Sequence, residues 1–428
     1  MTAPLRIAIA GLGTVGGGVA RLLLGHGEEL SERAGRRLEL VAVSARDRLK
    51  PRAADVSALE WVEDPVALAR SEADVIVELI GGEEGAARAL SQAALAAKKH
   101  VVTANKALLA SHGAALAALA QQHNVALKFE AAAAGGIPIV KALRESLIAY
   151  GIDAVRGILN GTCNYILTQM ETTGRSFEDV LGEAQKLGFA EADPTLDIGG
   201  GDTAHKLALL ASLAFGVVPD LGRIRTEGIA HITPDDIGFA REFGFRIKLL
   251  GVARTTANGL DLRVQPAMVR AGTPLADVEG AFNAIVADAG EAGPFFFEGR
   301  GAGEAPTASA VVADLVDIAR GANGAAFGRP AEKLRKLTGK PPDRVSAYYL
   351  RFEVLDVPGV LAEIAGHLAQ ANVSIESMIQ RGRAPGEPVS IVMITHECSE
   401  TDAGRALKVI AASDKVLAAP CMIPMEAG

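Results

Sequence analysis

The chain has 428 residues, of which 49% are hydrophobic and 22% charged, and its net charge is −8. That length predicts two or three domains, and the composition excludes a disordered chain. The acidic balance argues against a nucleic-acid partner, and the longest apolar stretch, Leu207 to Val218, is too short to span a bilayer, so we expect no membrane association.

The first 130 residues alternate between short apolar runs and alanine-rich helical patterns. Runs of this kind are typical of strands that are covered on both faces, and the alternation predicts an α/β fold with a parallel sheet. We predict strands at Leu5–Ala10, Leu38–Ser44, Asp74–Ile80, His100–Thr103 and Val125–Glu130, and helices at Val15–Leu24, Glu84–Ala97 and Gly113–Gln122.

A glycine-rich turn follows the first predicted strand. It has the pattern Gly-x-Gly-x-x-Gly, in the strand–turn–helix context of a Rossmann-type dinucleotide-binding domain. The glycines permit a tight turn and close approach of a pyrophosphate, which the N-terminus of the helix attracts. We therefore predict cofactor contacts from Gly11, Gly13, Thr14, Val15 and Gly16.

The end of the second strand bears on the choice of cofactor. An acidic residue there would bind the ribose 2′-hydroxyl of NAD, but this chain has Ser44, with Arg46 and Arg48 close behind. Guanidinium groups suit a 2′-phosphate, so we favour NADP over NAD and assign Arg46 to cofactor binding. The alternative is that both arginines lie on a solvated loop.

Two later segments concentrate charge in apolar and glycine-rich surroundings. In the first, the strand ending at Thr103 is followed by Lys106, at the edge of the sheet where ligands bind. In the second, residues 188–206 carry four carboxylates ahead of an apolar helix. Asp202 and Lys206 are four residues apart and share one face of that helix. Asp202 could otherwise serve only as a helix cap.

These segments resemble homoserine dehydrogenases. The resemblance rests on Asp193-Pro194, Asp197, Gly200, Asp202 and Lys206 at their spacings. It also rests on Val-Thr-Ala-Asn-Lys at 102–106, Glu-Ala-Ala-Ala-Ala-Gly-Gly-Ile-Pro-Ile at 130–139 and Leu-Asn-Gly-Thr-Cys-Asn-Tyr-Ile-Leu at 159–167. It covers about residues 6–324.

The resemblance implies reversible, NAD(P)-dependent interconversion of L-homoserine and L-aspartate 4-semialdehyde, in threonine, methionine and isoleucine biosynthesis. It implies that Lys206 is the general acid or base on the substrate hydroxyl and that Lys106 lies beside the nicotinamide and the substrate. It also implies that Glu191, Asp197 and Lys206 bind the substrate and that Asp202 orients Lys206.

The same resemblance implies a monovalent cation, Na⁺ or K⁺. Its ligands would be backbone carbonyls of Ala133, Gly135 and Ile137, with Glu130 nearby. A further motif at 301–307 implies that Gly303 lies close to the cofactor, although the pattern alone is also typical of a turn before a helix.

One position departs from the family pattern. Cys163 stands where threonine is usual, which raises the alternative of an aldehyde dehydrogenase with a cysteine nucleophile. That chemistry needs a thiolate beside a base, and the sequence shows none near Cys163, so we expect a buried thiol. The odd number and wide spacing of Cys163, Cys398 and Cys421 predict reduced cysteines in a cytoplasmic protein.

The middle of the chain predicts an α+β catalytic and dimerisation domain. It contains a helix at Thr203–Ala214 and strands at Lys248–Ala253 and Asp261–Met268, and a helix at Pro306–Arg320 is expected to pack back on the first domain. We place the Rossmann domain at 1–130, completed by 304–325, and the second domain at 131–303. A linker at 326–346, with Pro341-Pro342, follows. We expect a homodimer or homotetramer.

The last region, 347–428, predicts a ferredoxin-like βαββαβ unit. Its strands are expected at Tyr348–Leu355, Val373–Gln380, Val389–Thr395 and Val416–Ile423, and its helices at Val360–Gln370 and Glu400–Ala412.

The turn from Asp356 to Gly359 resembles the Asp-x-Pro-Gly turn of ACT domains, which bind small amino acids. The resemblance implies an effector site formed by Asp356, Pro358, Gly359 and Asn372, with L-threonine as the expected effector. A dimerisation module without a ligand is the alternative for this unit. For the whole chain, the alternative to an enzyme is an amino-acid sensor on an inactive dehydrogenase scaffold, but such a protein would not need to keep the charged residues above.

Overall fold

A computed structural model describes residues 3–52, 54–381 and 387–426. Its first unit is a parallel sheet of six strands in the order β3-β2-β1-β4-β5-β6, with helices on both faces. The elements are β1 (Leu5–Ala10), α1 (Thr14–Gly25), α2 (Gly27–Ala34), β2 (Leu38–Ser44), β3 (Glu60–Trp61), β4 (Val75–Glu78), α3 (Ala86–Ala96), β5 (His100–Thr103), α4 (Lys106–Gln122) and β6 (Leu127–Lys128).

The apolar runs of this sheet serve two cores at once. Ile7 and Ile9 of β1 belong to one core cluster, whereas Ala8 and Ala10 belong to another on the opposite face. A strand covered on both faces has no polar side, and the near-continuous hydrophobic pattern of β1 and β4 follows from that position. The predicted α/β class with a Rossmann-type parallel sheet is confirmed.

The predicted start of α4 was wrong by seven residues. The helix begins at Lys106, because the Asn105 side chain accepts a hydrogen bond from the Leu108 backbone at 3.1 Å and caps it. Gly113 lies inside the helix, where the Phe327 ring packs against it and leaves no room for a side chain. The strand predicted at Val125–Glu130 is likewise shorter, since the next helix already begins at Glu130.

The middle unit combines helices with a sheet of long antiparallel strands. The strands at Phe245–Thr256 and Gly259–Arg270 were predicted from the sequence. Three others, at Ala154–Ile158, Phe282–Asp288 and Pro294–Arg300, were not predicted, and they pair with one another and with the strand at Phe245–Thr256. The elements are α5 (Glu130–Ala134), α6 (Ile139–Lys141), β7 (Ala154–Ile158), α7 (Gly161–Thr173), α8 (Phe177–Lys186), α9 (Thr195–Ile198), α10 (Gly201–Phe215), β8 (Arg225–Thr226), α11 (Pro234–Glu242), β9 (Phe245–Thr256), β10 (Gly259–Arg270), β11 (Phe282–Asp288) and β12 (Pro294–Arg300).

After β12 the chain returns to the first unit as α12 (Glu304–Ala319). This helix packs on α1, where Gly18 leaves space for Ala308, and its Val311 and Leu315 enter the core beside β1. The stretch expected as a linker then lies against the body of the protein. Phe327 is buried on Phe129, with ring centroids 5.1 Å apart, and the backbone of Arg335 pairs with Gly216 and Val218.

The last unit has the predicted βαββαβ arrangement. It consists of β13 (Val345–Ser346), β14 (Tyr348–Leu355), α13 (Val360–Gln370), β15 (Ile375–Gln380), β16 (Pro388–Thr395), β17 (Cys398–Ser399), α14 (Glu400–Ile410) and β18 (Cys421–Glu426). The strand predicted at Val416–Ile423 was wrong in its start. Val416 makes only an isolated bridge, and β18 begins after Pro420, which has no N–H for a ladder.

The last unit is not a separate appendage. β18 pairs with β10 of the middle unit, so that one sheet runs β12-β11-β7-β9-β10-β18-β14-β16-β15 through both. The junction is charged and buried, because Arg263 of β10 pairs with Asp261 at 2.6 Å and also with Glu400 of α14. No helix in the described residues is long and apolar enough to cross a membrane. All three cysteines are buried free thiols.

Candidate functional site

The carboxyl ends of four parallel strands meet at one edge of the first sheet. Gly11 follows β1, Ser44 ends β2, Leu79 follows β4 and Thr103 ends β5. In an open parallel sheet this edge is where ligands bind. A cleft of about 740 Å³ opens here, lined by Gly11, Leu12, Gly13, Ser44, Ala45, Arg46, Asp47, Lys50, Arg52, Glu63, Pro65, Leu79, Ile80 and Ala86.

The glycine-rich turn has the backbone geometry that a dinucleotide site requires. Gly11 has φ +98°, which favours glycine, and a Cβ at Gly16 would collide with the Gly11 carbonyl. α1 starts at Thr14 without a side-chain cap, so N–H groups of its first turn, at Thr14 and Val15, are available to an anion. The residues present therefore fit a dinucleotide phosphate.

The basic residues after β2 divide between the cleft and the surface. Arg46 lines the cleft, but the guanidinium of Arg48 lies 5.7 Å from the centre of the Trp61 ring instead. Lys50 and Arg52, which were not predicted from the sequence, also line the cleft. The guanidinium of Arg52, however, lies 5.0 Å from the centre of the Trp61 ring and donates to the Lys50 carbonyl at 2.7 Å. The signal for them was present in the sequence, in the basic spacing that continues past Arg48.

A network of polar side chains holds the end of β5. The buried Glu78 accepts a hydrogen bond from the Thr103 hydroxyl at 2.6 Å and another from the Ile80 backbone at 2.8 Å. Thr103 in turn accepts from the Asn105 backbone, and the Asn105 side chain caps α4. This network places Lys106 in the first turn of α4. In the sequence, Glu78 stands out only as part of an apolar strand.

Lys106, Asp202 and Lys206, here called the lysine–aspartate cluster, meet between the first and middle units. Asp202 Oδ1 lies 3.1 Å from Lys106 Nζ, and Asp202 Oδ2 lies 2.8 Å from Lys206 Nζ. Lys206 also donates to the Leu159 carbonyl at 2.6 Å. An ammonium has three donors, so Lys206 keeps one for a ligand.

Burial and charge act against each other on Asp202. Burial alone would raise the pKa of this carboxyl, but Lys206 and Lys106 outweigh it and hold the pKa well below its usual value. Asp202 is therefore an anion shared by two lysines. Its side chain does not cap α10, whose N-cap is Gly200 in a left-handed conformation with φ +84°.

Asn160 ties a second carboxylate to the cluster. Its side-chain nitrogen donates to Asp197 at 2.8 Å and to Asp202 at 2.9 Å, while its oxygen caps α7 at Cys163. Burial, together with the charge of Asp202, raises the pKa of Asp197. Asn160 lies within the motif at 159–167, but nothing in the sequence pattern indicates this role.

Two further polar residues were missed. His205 is half-buried beside the cluster, and burial followed by the Lys106 charge lowers its pKa. Asn283, on β11, donates to the same Leu159 carbonyl that Lys206 uses, at 3.0 Å. No pattern in the sequence links residue 283 to residues 159 and 206, because only the sheet brings them together.

Glu191 does not join this cluster. Its side chain is exposed, and within the described ranges it makes no hydrogen bond or ion pair; only its carbonyl accepts one, from Gln185. Cys163 is buried, and burial with the nearby carboxylates raises the pKa of its thiol well above the ordinary value. A thiolate nucleophile at Cys163 is therefore disfavoured.

The turn expected to bind a cation packs against the loop before α12. Gly135 has φ +58°, and a Cβ there would collide with the Gly301 carbonyl. Glu130 accepts hydrogen bonds from the Val140 and Lys141 backbones at 2.9 and 2.8 Å. Burial of the Glu130 carboxyl raises its pKa to about 7, and the nearby charge of Asp314 acts in the same direction. Ala133 is buried, and the Ile137 carbonyl accepts a hydrogen bond from the Ile139 N–H. Gly303 is the residue that precedes α12.

In the last unit, three of the four expected effector residues lie together. Asp356, Pro358 and Gly359 form the turn before α13, where Gly359 has φ +95°. Asn372 lies beyond the other end of this 11-residue helix, about 20 Å away at 1.5 Å per residue. Asn372 has φ +60° and ends the helix, a position that asparagine tolerates.

Comparisons with known proteins agree with this architecture. Three family models match, described as the homoserine dehydrogenase NAD-binding domain (residues 11–130), homoserine dehydrogenase (138–316) and the ACT domain (348–414). A homoserine dehydrogenase of Neisseria gonorrhoeae is 45% identical over 99% of both chains.

Solved structures show the same likeness. The crystal structure of a homoserine dehydrogenase from Thiobacillus denitrificans is 44% identical, with a TM-score of 0.91 over 99% of this chain and 98% of that one. A putative homoserine dehydrogenase from Archaeoglobus fulgidus is 35% identical, with a TM-score of 0.66; it covers 73% of this chain and 99% of its own length.

Proposed function

The chain belongs to the homoserine dehydrogenase family of NAD(P)-dependent oxidoreductases, and from that premise we propose that the lysine–aspartate cluster interconverts L-homoserine and L-aspartate 4-semialdehyde. The observation that carries the assignment is the pairing of Asp202 with both Lys106 and Lys206. Initial rates with homoserine and each nicotinamide cofactor test the activity. Absence of turnover with both would favour an inactive scaffold.

Each residue of the site has a proposed task. As the neutral amine, Lys206 takes the proton of the substrate hydroxyl on the lone pair at its third position, and as the ammonium it returns that proton in the reverse direction. Asp202 orients Lys206 and balances the charge of Lys106, which faces the cofactor side. Asp197 binds the amino end of homoserine. When bound, the nicotinamide accepts or supplies the hydride.

Glu191 would bind the substrate only after a movement of its loop. Its exposed side chain reaches the substrate only if the 187–196 loop moves towards Asp197. That loop is attached to α7, because the Thr162 hydroxyl donates to the Phe189 carbonyl at 2.7 Å and the Phe189 ring packs on Tyr165. Substrate binding through Asp197 does not depend on such a movement.

We further propose that the cofactor is NADP and that Arg46 and Lys50 hold its 2′-phosphate. Both cations line the dinucleotide cleft beside Ser44, and β2 ends in that serine instead of an acidic residue that would repel a phosphate. Charge-assisted hydrogen bonds to phosphate are stronger than neutral ones, so NADP gains more from these residues than NAD does.

A paired substitution tests the cofactor preference. Changing Arg46 and Lys50 to alanine should raise the KM for NADP about tenfold or more and leave the KM for NAD within about twofold, because each charged hydrogen bond contributes about 1.5–3 kcal/mol. Arg48→Ala is the matched control, because Arg48 lies on Trp61 outside the cleft. Equal changes for both cofactors would refute the preference for NADP.

We also propose a monovalent cation near the 133–137 turn, supported by the adjoining Glu130 and Asp314. The raised pKa of Glu130, about 7, means that folding disfavours its charged form. Its contribution to stability is present below the unfolded pKa of 4.5 and is lost as the pH rises through about 7. A cation beside the charged Glu130 carboxylate would restore the stability lost at high pH, so KCl should raise the Tm of the wild type more at about pH 8 than at about pH 5. The increase at about pH 8 should be smaller in Glu130→Gln. Equal Tm increases in both proteins would argue against the site.

We propose that L-threonine inhibits the enzyme through the turn at Asp356–Gly359. The buried Arg263–Glu400 pair and the β10–β18 ladder link this unit to β10, and Val264 of β10 lies against Gly200, two residues from Asp202. A continuous packed connection is a physical route for coupling, which is typically about 1–3 kcal/mol.

Asp356→Ala should weaken threonine binding in calorimetry and raise the threonine concentration that halves the rate, with the uninhibited kcat nearly unchanged. Asp414→Ala, which removes an exposed carboxylate elsewhere in the same unit, should change neither quantity. A full-length enzyme that binds no threonine would show that this unit serves assembly only, whereas unchanged inhibition in Asp356→Ala would place the effector elsewhere.

A further inference from the structure

A second cavity, which shares no lining residue with the dinucleotide cleft, is lined by five cationic side chains. It has a volume of about 460 Å³ and lies between the C-terminal end of α10, the hairpin of β9 and β10, and the 329–342 segment. We call it the basic cavity. Its cationic lining residues are Arg223, Arg329, Arg335, Lys336 and Lys340.

The charge of the basic cavity is uncompensated. No aspartate or glutamate lines it, and within the described residues none of its five cations forms an ion pair. This occurs in a chain whose net charge is −8. Like charges gathered around one space repel one another, and an anion placed there would remove that repulsion.

Part of this arrangement supports the fold itself. Arg335 donates to the Phe215 carbonyl at 3.2 Å, and Arg329 lies against Gly216, so both serve the negative end of α10. Arg223 donates to the Gly339 carbonyl at 2.6 Å and holds the connecting segment. Lys336 and Lys340 have no such role, since neither makes a hydrogen bond in the described structure, and both side chains are exposed.

We propose that the basic cavity binds a small phosphorylated compound carrying at least two negative charges, with Lys336 and Lys340 as direct contacts. A lysine ammonium attracts phosphate oxygens as a compact positive charge, and an arginine guanidinium binds them through two parallel hydrogen bonds. The volume of the cavity falls within the range of small-molecule sites, about 300–1,000 Å³. The cavity is therefore larger than a single inorganic phosphate would fill. The bound anion would also hold the 329–342 segment against the end of α10.

Pyrophosphate is the probe that tests this site. The full-length protein is first saturated with NADP, so that the dinucleotide cleft is filled, and pyrophosphate is then titrated by calorimetry at low ionic strength. We expect one saturable site, whose affinity falls as salt is added. Changing Lys336 and Lys340 together to alanine should weaken it about tenfold or more.

Two controls distinguish binding in the basic cavity from binding at other cationic surfaces. Arg241→Ala combined with Lys408→Ala removes two exposed cations elsewhere and should leave pyrophosphate binding unchanged. Arg46→Ala should also leave it unchanged, because Arg46 belongs to the dinucleotide cleft. Absence of saturable binding, or equal affinity in the Lys336/Lys340 double variant and the wild type, would overturn the proposal. These outcomes do not depend on dehydrogenase activity, so they do not bear on the proposed function.

Discussion

Replacing Lys206 with alanine should lower kcat for homoserine oxidation about 10²- to 10⁴-fold while cofactor binding is preserved. General acid–base catalysis contributes a factor of that size, and Lys206 is the side chain with a donor left for the substrate hydroxyl. The cofactor cleft contains no atom of Lys206, so fluorescence titration with NADPH should give a Kd within about twofold of the wild type.

Two further variants make this result interpretable. Lys186→Ala removes an exposed lysine from α8 and should keep wild-type kcat. Lys206→Gln retains a hydrogen-bond donor on a side chain one atom shorter but cannot transfer a proton, so it should fold and remain as inactive as Lys206→Ala. A near-wild-type kcat in either Lys206 variant would remove Lys206 from the chemistry.

Asp202→Asn should reduce both activity and stability. The substitution keeps the shape of the side chain but leaves Lys106 and Lys206 without their shared anion, and the loss of one partner from a buried ion pair costs about 3–5 kcal/mol. We expect kcat to fall at least about tenfold, because Lys206 loses the contact that orients it. Chemical denaturation at neutral pH measures the stability change.

The pH dependence gives this prediction its sign. The lysines hold the pKa of Asp202 below its usual value of 3.8, so the carboxylate stabilises the folded state above that pH and the effect is lost as the pH falls through the lowered value. The difference in unfolding free energy between wild type and Asp202→Asn should therefore be constant around neutrality and shrink below about pH 3.8. A difference that grows on acidification would show that Asp202 is not a native-state anion.

The features that could be predicted from the sequence are those that local patterns determine. β1, β2 and β5 have the bounds that were expected, because apolar runs covered on both faces carry a strong signal. The glycine turn and the four-residue spacing of Asp202 and Lys206 are also local. The turn does precede a helix, and Asp202 and Lys206 do lie four residues apart on one helix.

What the sequence could not supply depends on distant contacts. β7 was missed because one of its partners, β11, lies more than a hundred residues away in the sequence. β12 was missed because it is the edge strand of its sheet and leaves Phe295 and Phe296 partly exposed. Asn160 and Asn283 reach the cluster only through the fold of the middle unit. The position of Arg48 on Trp61 is likewise a tertiary contact that no spacing rule contains.

The packing of the 326–346 segment was also beyond the sequence. Its small, basic and proline residues are typical of a loose connection, yet Phe327 and Arg344 are buried in the structure, the latter paired with Glu426. An interpretation by composition treats each residue alone, whereas this segment is held by partners from α4, α10 and β18. The division of the chain into separate domains stays a prediction for the same reason.

The central claim is that Lys206 acts directly on the substrate hydroxyl while Asp202 links it to Lys106. The most direct test is a crystal structure of the protein with L-homoserine and the oxidised cofactor bound. We expect the homoserine hydroxyl within hydrogen-bond distance of Lys206 Nζ, about 2.6–3.2 Å, with the nicotinamide on the Lys106 side. A homoserine hydroxyl held by other residues, with Lys206 still bound only to Asp202 and the Leu159 carbonyl, would contradict the assignment.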